Sequence, residues 1–238
     1  MENLSNPRVS VVAGASRGIG RATALALAGV GQHLVLAARS APELEALATE
    51  VRGTGAAATV VLGDVTDERY VQQLMQTAAQ VTGRIDLLVN SVGGAIVAPF
   101  DELALADWET TLRTVLTGTF LTCKYAVAHM SAGALIVNVA SVAARQPFPT
   151  WSAYVAAKYG VLGFSNTIRE ELRPRGVRVT TVLPAATDTV LWDAIPGTWN
   201  RANMLQPEDV ARAIAQLATQ PPHVTTEEIA LGHVIGRL

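Results

Sequence analysis

The sequence is poor in cysteine, aromatic residues and charge. Of its 238 residues only Cys123 is a cysteine, and Phe, Trp and Tyr together make up 5%. A single cysteine cannot form an internal disulfide, so we expect a reducing compartment, the cytoplasm. Charged residues make up 16% of the chain and the formal net charge is −2. This near balance provides no basic surface, so neither nucleic acid nor an anionic membrane is an expected partner.

Long apolar runs are also missing. No stretch reaches the about 18 uncharged apolar residues that a membrane helix requires, so no span is predicted. The first residues show no basic segment followed by an apolar one, and a secretory signal is not expected. Half of the residues are hydrophobic, which argues against disorder. We therefore expect one α/β domain over residues 1–238, with no metal site.

Short apolar runs alternate with longer segments of helical spacing. The runs are Val9–Ala13, Leu34–Ala38, Thr59–Leu62, Ile85–Asn90, Leu135–Val139 and Val177–Leu183. The helical segments are Gly18–Val30, Glu43–Arg52, Asp67–Val81, Ala106–Met130 and Ser152–Leu172. This alternation predicts an α/β fold with one doubly wound parallel sheet and helices on both faces. A last run, Glu228–Leu231, is a candidate edge strand.

A glycine-rich turn follows the first predicted strand directly. It reads Gly14-Ala15-Ser16-Arg17-Gly18-Ile19-Gly20 and leads into a predicted helix. Glycines allow a tight turn and close approach of the backbone to a ligand, and the helix start presents unpaired N–H groups to a pyrophosphate. The spacing is G-x-x-x-G-x-G, which differs from the general G-x-G-x-x-G pattern. We predict a dinucleotide site here, with a plain glycine-rich turn as the alternative.

The end of the second predicted strand bears on the choice between NAD and NADP. An NAD site usually places a carboxylate there, about 20 residues past the glycines, to hold the ribose 2′-OH. This sequence reads Ala38-Arg39-Ser40 and has no acid at that point. Arg39 could form a charge-assisted fork to a 2′-phosphate, with Arg17 on the other side. The predicted cofactor is therefore NADP, and the alternative is that both arginines are simply solvated.

Tyr154 and Lys158 are spaced to share one face of a helix. A free tyrosine has a pKa near 10, and a neighbouring ammonium favours its phenolate, so we expect Lys158 to lower the pKa of Tyr154. Ser141 follows the strand Leu135–Val139 and should lie at the carboxyl end of the sheet, where ligands bind in such folds. Its hydroxyl could hold a substrate carbonyl there. The alternative for Tyr154 and Lys158 alone is an ordinary amphipathic helix.

Together these motifs resemble the short-chain dehydrogenase/reductase family, from Val9 to about Thr189. The resemblance implies a Rossmann-type oxidoreductase that moves a hydride reversibly between NADP(H) and a ketone or secondary alcohol. It implies that Tyr154 is the general acid or base, that Lys158 holds the nicotinamide ribose and that Ser141 orients the carbonyl. The implied cofactor contacts are Gly14, Ser16, Arg17, Gly18, Ile19, Gly20, Arg39, Asp64, Val65, Asn90, Gly93, Tyr154, Lys158, Pro184 and Thr189. For Asp64 a turn-forming role, and for Asn90 a role in tying strands together, are open alternatives.

Three positions depart from the family pattern. Val115 replaces an asparagine of the long helix, which puts the family's proton relay in doubt, although the main-chain carbonyl could still hold a water. Ser91 and Ala185 replace the family's asparagine and glycine. Two rival functions follow: a catalytically silent nucleotide sensor or scaffold, and an extended-type epimerase or dehydratase. The second rival usually has a larger C-terminal domain than this chain offers.

The sequence also bears on the oligomeric state and on the substrate. The resemblance implies a homotetramer with interfaces on Ala106–Met130 and Ser152–Leu172, with a homodimer or a monomer as alternatives. Residues 184–205 form the longest irregular stretch, a candidate substrate loop. Apolar side chains on and near this loop suggest an apolar pocket that could accept a small ketone or an acyl thioester. They are Leu191, Trp192, Ile195 and Trp199 on the loop, and Phe148 and Trp151 before it. We expect this loop to close over the substrate, the alternative being a fixed wall.

Overall fold

A computed structural model describes residues 7–236 and contains one sheet of seven strands. The strands are β1 (Arg8–Ala13), β2 (Gln32–Ala38), β3 (Ala58–Leu62), β4 (Leu87–Asn90), β5 (Leu135–Val139), β6 (Arg178–Pro184) and β7 (Glu228–Leu231). They are ordered β3-β2-β1-β4-β5-β6-β7, and every pair is parallel. The candidate edge strand Glu228–Leu231 is thus confirmed.

Seven α-helices within residues 7–236 surround the sheet. They are α1 (Gly18–Ala28), α2 (Ala41–Gly53), α3 (Glu68–Thr82), α4 (Leu105–Leu112), α5 (Gly118–Ala126), α6 (Ser152–Leu172) and α7 (Pro207–Ala218). Buried side chains of α1, α2 and α7 form one core cluster, and those of α3 and α5 form a second with the end of α6. The predicted doubly wound, Rossmann-type fold is confirmed. In the described part of the chain, no helix is long and apolar enough to span a bilayer.

The central strands supply both cores because successive strand residues point to opposite faces. On β1, Val12 packs with the α1 and α2 cluster, whereas Val11 packs with the α3 and α5 cluster. Leu36 and Val35 divide in the same way on β2. A strand buried on both faces needs apolar residues at consecutive positions, which is the pattern that revealed these strands in the sequence.

The predicted helix Ala106–Met130 is interrupted by a wider turn. The chain runs through α4, a π-helical turn at Arg113–Thr117, α5 and a 3₁₀ turn at Val127–His129. Threonine hydroxyls bond back into this helix, one of them from Thr119 Oγ1 to the Val115 carbonyl at 2.7 Å. Such bonds compete with the regular helix ladder and are a physical reason for the local distortion.

Helix α7 was not predicted, although its start carries clear signals. Pro207 occupies the first turn, and the Gln206 backbone N–H donates to Asp209 Oδ2 at 2.9 Å in a capping box. Val210, Ile214 and Leu217 then follow at helical spacing and are buried. This helix closes the α1 face of the sheet where β5 and β6 would otherwise expose it.

The strand order reverses between β1 and β4, and this point fixes where a ligand can bind. The chain leaves β1 toward α1 on one face, and leaves β4 toward the other face. The two exits nearly touch, since a Cβ on Gly14 would lie 2.7 Å from the Ser91 carbonyl oxygen. Gly14 also has φ +82°, a conformation that glycine adopts without strain. The crevice between these exits is the expected ligand site.

Arg169 of α6 ties the last two strands to the rest of the fold. Its Nε donates to the Val179 carbonyl at 2.8 Å, and its Nη2 donates to the Glu227 carbonyl at 2.8 Å. The residue is only 5% exposed. These charge-assisted bonds satisfy carbonyls of β6 and of the residue preceding β7; the first bond is buried and the second is partly buried.

We expect Arg169→Met to lower the free energy of unfolding by about 1–3 kcal/mol, because the buried Val179 carbonyl and the partly buried Glu227 carbonyl lose a charged donor. The matched control is Arg173→Met, whose half-exposed side chain pairs with the Glu170 and Glu227 carboxylates on the surface and should change stability much less, because exposed ion pairs contribute little. Urea denaturation of both variants measures the difference. Equal losses would mean that Arg169 does not hold β7 in place.

Candidate active site

A cleft of about 740 Å³ opens at the carboxyl ends of the strands, at the reversal point between β1 and β4. It brings together most of the site residues predicted from the sequence. Those that line it are Gly14, Ser16, Arg17, Gly18, Ile19, Arg39, Asp64, Val65, Gly93, Ser141, Tyr154, Lys158, Pro184 and Thr189. Residues from six different loops therefore meet in one space. The described chain contains no cluster of three His, Cys, Asp or Glu side chains that could hold a metal.

Two predicted cofactor residues, Gly20 and Asn90, lie outside the cleft wall. A Cβ on Gly20 would sit 2.1 Å from the Gly14 carbonyl oxygen, so this glycine lets α1 pack against the turn. Asn90 is buried, and its Nδ2 donates to Asn138 Oδ1 at 2.8 Å on the neighbouring strand β5. Both residues shape the cleft from behind, and for Asn90 this is the strand-tying role.

The glycine turn forms one part of the cleft wall. Arg17 precedes the first turn of α1, and no side chain caps the helix there. The first turn also contains no acidic residue. A Cβ on Gly18 would come 3.1 Å from Thr189 Cγ2, so the turn and the segment after β6 approach closely. An uncapped helix start with glycines in front of it fits a diphosphate, which the free N–H groups and the helix dipole would stabilise.

Arg39 and Asp64 line the cleft after strands β2 and β3. Arg39 Nη1 lies 3.8 Å from Asp64 Oδ2, and the Arg39 side chain is 70% exposed. Asp64 Oδ1 accepts from the Thr66 backbone N–H at 2.9 Å, so the turn-forming role is present while the other oxygen faces Arg39. The sequence reasoning missed Ser40, which lines the cleft and whose hydroxyl caps no helix N–H. Arg39 and Ser40 are thus two donors available to an anion.

Ser141, Tyr154 and Lys158 meet at the opposite end. Ser141 follows β5, and its Oγ accepts from the Ala143 backbone N–H at 3.1 Å, which fixes the hydroxyl at the strand end. Tyr154 and Lys158 lie on the first turns of α6 and face the same cleft. Lys158 Nζ is 5.6 Å from the centroid of the Tyr154 ring. The predicted spacing on one helix face is therefore observed.

Lys158 is the most deeply enclosed charge of the cleft, with only 4% of the residue exposed. Its Nζ donates to the Val139 carbonyl at 2.8 Å. Burial disfavours the ammonium form and lowers the pKa of Lys158 to about 8. Because an ammonium has three donors and one serves Val139, the others are available to a ligand in the cleft.

Burial raises the pKa of Tyr154 above its ordinary value of 10.0, while the nearby Ser141 hydroxyl opposes the rise. The direction is opposite to the expected lowering by Lys158. The physical reason is desolvation, since enclosing the phenol penalises the phenolate and no ion pair with Lys158 compensates for it here. In this state the phenol of Tyr154 is protonated at neutral pH.

The departures from the family pattern have definite structural places. Val115 is buried in a small apolar cluster with Ala157 and Val161 of α6. Its carbonyl accepts the Thr119 hydroxyl, which occupies one of its two acceptor positions. Thr114 precedes Val115 in the sequence and lines the cleft, although it was not predicted as a site residue. Ser91 and Ala185 also line the cleft.

The predicted substrate loop is packed by its own side chains. It contains 3₁₀ turns at Val190–Ala194 and Arg201–Asn203, and Thr187 pairs with Leu205. Arg201 Nη1 donates to Asp188 Oδ1 at 2.9 Å, and Nη2 donates to Asp193. Such cross-links favour the fixed-wall alternative over a loop that closes on the substrate. Trp192 lines the cleft, whereas Trp199 packs behind it.

Comparisons with known proteins agree with this geometry. A family model described as short chain dehydrogenase matches residues 8–198. The D-threitol dehydrogenase of Mycolicibacterium smegmatis is 38% identical over 223 residues, covering 89% of this chain and 86% of the relative. A 3-oxoacyl-[acyl-carrier-protein] reductase of Synechocystis sp. is 38% identical over 223 residues, covering 90% of each chain.

A solved structure has the same fold over nearly its whole length. It is an alcohol dehydrogenase from the archaeon Thermococcus sibiricus, complexed with 5-hydroxy-NADP. It superposes with a TM-score of 0.90 at 29% identity, covering 98% of this chain and 99% of that chain. The family model, the relatives and this fold give one result: the chain belongs to the short-chain dehydrogenase/reductase family.

Proposed function

We propose that this protein is an NADP-dependent oxidoreductase that interconverts a ketone and a secondary alcohol, acting in the cytoplasm. One observation carries the proposal: Ser141, Tyr154 and Lys158 share a cleft with the glycine turn and with Arg39. A nucleotide-sensing scaffold would not require a partly buried phenol and a buried ammonium beside the nucleotide site. The D-threitol dehydrogenase and alcohol dehydrogenase similar to this chain fit this reaction class.

The cofactor would lie along the carboxyl edge of the sheet. The glycine turn and the start of α1 would hold the pyrophosphate, and Arg39 with Ser40 and Arg17 would hold the 2′-phosphate. Asp64 and Val65 line the adenine end, while Pro184 and Thr189 line the nicotinamide end. When bound, NADPH supplies the hydride that adds to the carbonyl carbon.

The protein's own chemistry is a proton transfer. Ser141 would donate a hydrogen bond to the substrate carbonyl and place its oxygen against the Tyr154 hydroxyl. As the new C–H bond forms and the C=O π bond opens, the oxygen takes the Tyr154 proton and becomes an alcohol. The Tyr154 phenol is protonated at neutral pH, and because its pKa is raised it gives up the proton less readily than a free tyrosine, so the transfer relies on the charge of Lys158. The protonation state of the free protein therefore suits carbonyl reduction.

Lys158 would serve as both a binding and an electrostatic group. Its ammonium would hold the ribose hydroxyls through the donors that Val139 does not use. In the same position, its charge stabilises the phenolate that forms when Tyr154 gives up its proton. The electrostatic stabilisation by this charge is stronger in the enclosed site than it would be in water.

We also propose a homotetramer, with a homodimer as the alternative. Phe120 of α5 and Tyr159 of α6 are large side chains exposed on the two helices that the family resemblance implicates. Phe120 also stacks edge-on with Phe164 of α6 at 6.0 Å between ring centroids, so α5 and α6 present adjoining apolar surface. Exposed apolar surface of this kind is typical of interfaces between subunits.

We expect Arg39→Ala to lower the preference for NADPH over NADH by about 10- to 150-fold, because a charge-assisted phosphate contact is worth about 1.5–3 kcal/mol. Ala38→Asp should shift the preference further toward NADH, since its carboxylate would meet the ribose. Arg212→Ala, an exposed arginine on α7, is the matched control. The measurement is kcat/KM with each cofactor. A wild-type enzyme without preference, unchanged in Arg39→Ala, would refute the assignment.

Tyr154→Phe should reduce kcat by at least about 100-fold, because it removes the proton donor. NADPH affinity, measured by fluorescence titration, should stay close to that of the wild type, since the hydroxyl acts in chemistry. Tyr125→Phe removes a phenol hydroxyl that lies outside the cleft, where it donates to Glu68, and should keep full activity. If Tyr154→Phe retains more than about a tenth of the rate, the general-acid role is wrong.

Lys158→Met should abolish turnover yet stabilise the fold. The drop in the pKa of Lys158 from 10.5 to about 8 means that folding disfavours its ammonium. This cost is fully present below pH 8 and disappears as the pH rises past 10.5, where the lysine is neutral in both states. We expect a gain of about 1–3 kcal/mol at pH 7 that shrinks toward pH 10, after allowing for the lost Val139 bond.

Urea denaturation at several pH values measures this gain. Lys124→Met is the control, because Lys124 is exposed and pairs with Glu68 on the surface. That variant should leave the free energy of unfolding nearly unchanged at pH 7, because an exposed ion pair contributes little to stability. A Lys158→Met protein less stable than the wild type at pH 7 would mean that the ammonium is retained for structure.

A further inference from the structure

The two ends of the cleft differ sharply in charge. The charged residues Arg17, Arg39, Glu43 and Asp64 line the end formed by the loops after β1, β2 and β3. Beyond β4, from Ser91 to Ala194, Lys158 is the only Asp, Glu, Lys or Arg that lines the cleft. In the proposed function the first end belongs to the cofactor and the second to the substrate. The substrate end therefore has no charged side chain except the Lys158 of the reaction site.

The substrate loop directs its own charges away from this end. Asp188 and Asp193 each pair with Arg201, and none of the three lines the cleft. The loop side chains that do line it include Val190, Leu191 and Trp192. Sequence alone could not show this division, because charged and apolar residues are interleaved along the loop.

The wall facing the reaction site is a row of packed aromatic rings. Trp151 packs edge-on against Tyr154 at 5.4 Å between centroids, and Trp192 packs against Trp151 at 5.8 Å. At these distances the rings touch each other, so nothing inserts between them and a ligand meets their outer surface. The Trp192 Nε1–H donates to the Thr187 carbonyl at 2.9 Å, which fixes the ring orientation.

We propose that the substrate is an uncharged aryl ketone, or the corresponding aryl alcohol, whose ring packs against Trp151 and Trp192. The proposal rests on the proposed function, because the reacting carbonyl must sit between Ser141 and Tyr154. A ring attached to that carbonyl would meet the aromatic wall beside Tyr154 and bury apolar area on both sides.

Other substrate classes fit this end poorly. A carboxylate or phosphate would lose its hydration in an enclosed space where the only cation is engaged in catalysis. A hydroxyl-rich substrate would need polar partners, yet Thr187 Oγ1 donates to the Ala185 carbonyl at 3.0 Å and Thr189 Oγ1 accepts from the Leu191 N–H at 3.4 Å. These bonds use the Thr187 proton and one Thr189 acceptor position, and the side chains of Val190, Leu191 and Trp192 beside them offer a hydroxyl-rich substrate no free donor or acceptor.

A matched panel tests the proposal with the wild-type protein and NADPH. The substrates are acetophenone, methyl 4-acetylbenzoate, its free acid 4-acetylbenzoate, and dihydroxyacetone. We expect kcat/KM for the free acid to be at least about 100-fold below that of its ester, because only the acid buries an unpaired charge. Dihydroxyacetone should be the poorest neutral substrate. Equal or better turnover of the acid or of dihydroxyacetone overturns the substrate class and leaves the oxidoreductase function intact.

The aromatic wall is tested by Trp192→Ala. This variant should raise KM for acetophenone by about tenfold or more, while kcat/KM for butanone, which has no ring, changes much less. Trp108→Ala removes a tryptophan that does not line the cleft and is the matched control. Equal losses for acetophenone and butanone would overturn the ring contact. Trp192→Phe keeps an aromatic surface and should restore most of the acetophenone affinity.

Ligand binding separates this proposal from the proposed function. If the protein binds NADPH but reduces no ketone, the proposed function fails. Quenching of tryptophan fluorescence by methyl 4-acetylbenzoate and by 4-acetylbenzoate then decides the substrate class alone. Tighter binding of the ester, weakened in Trp192→Ala, supports an uncharged aryl ligand. Binding of the acid as tight as that of the ester overturns it.

Discussion

The site depends on one enclosed charge, the ammonium of Lys158. It is almost completely buried, and the one hydrogen bond it makes within the described chain goes to the end of strand β5. A lone buried ammonium is costly for folding, and its lowered pKa expresses that cost. The rest of the fold supplies the stability that allows this residue: two apolar cores, one on each face of a fully parallel sheet. We interpret Lys158 as a group retained for chemistry at the expense of stability.

The same enclosure explains the state of Tyr154. Without an ion pair to Lys158, desolvation dominates and the phenol keeps its proton. A protonated phenol suits reduction, whereas oxidation of an alcohol would require the phenolate. The tyrosine is also fixed in place, since Trp151 packs on its ring and Ser141 lies beside its hydroxyl. The aromatic wall thus positions the proposed acid and shapes the substrate end at once.

Much of this arrangement could be predicted from the sequence. Consecutive apolar residues revealed the strands, and the glycine turn, Ser141, Tyr154 and Lys158 all reach the cleft as expected. These features depend on local spacing. Residues four apart, such as Tyr154 and Lys158, lie about one helix turn apart on the same face, and a residue directly after a parallel strand lies at the carboxyl edge of the sheet. Helix α7 was also within reach, because its capping residues and apolar spacing are visible in the sequence.

Other features depend on three-dimensional surroundings and could not be read from spacing. The direction of the Tyr154 pKa depends on how completely the ring is enclosed. Gly20 and Asn90 belong to the expected pattern but lie behind the cleft, where they support packing between the turn, α1 and the strands. The π-helical turn before α5 arises from competition between side-chain and backbone hydrogen bonds. The inward and outward faces of the substrate loop are likewise set by the pairing of Arg201 with its two aspartates.

The enclosure of Lys158 can be measured directly by ¹⁵N NMR of its side-chain Nζ, recorded in the free protein across a range of pH. The resonance is assigned by comparison with Lys158→Met. The structure predicts a titration midpoint of about 8, far below that of the exposed Lys124. A Lys158 midpoint near the ordinary lysine value of about 10.4 would contradict the claim that burial of this charge governs the site.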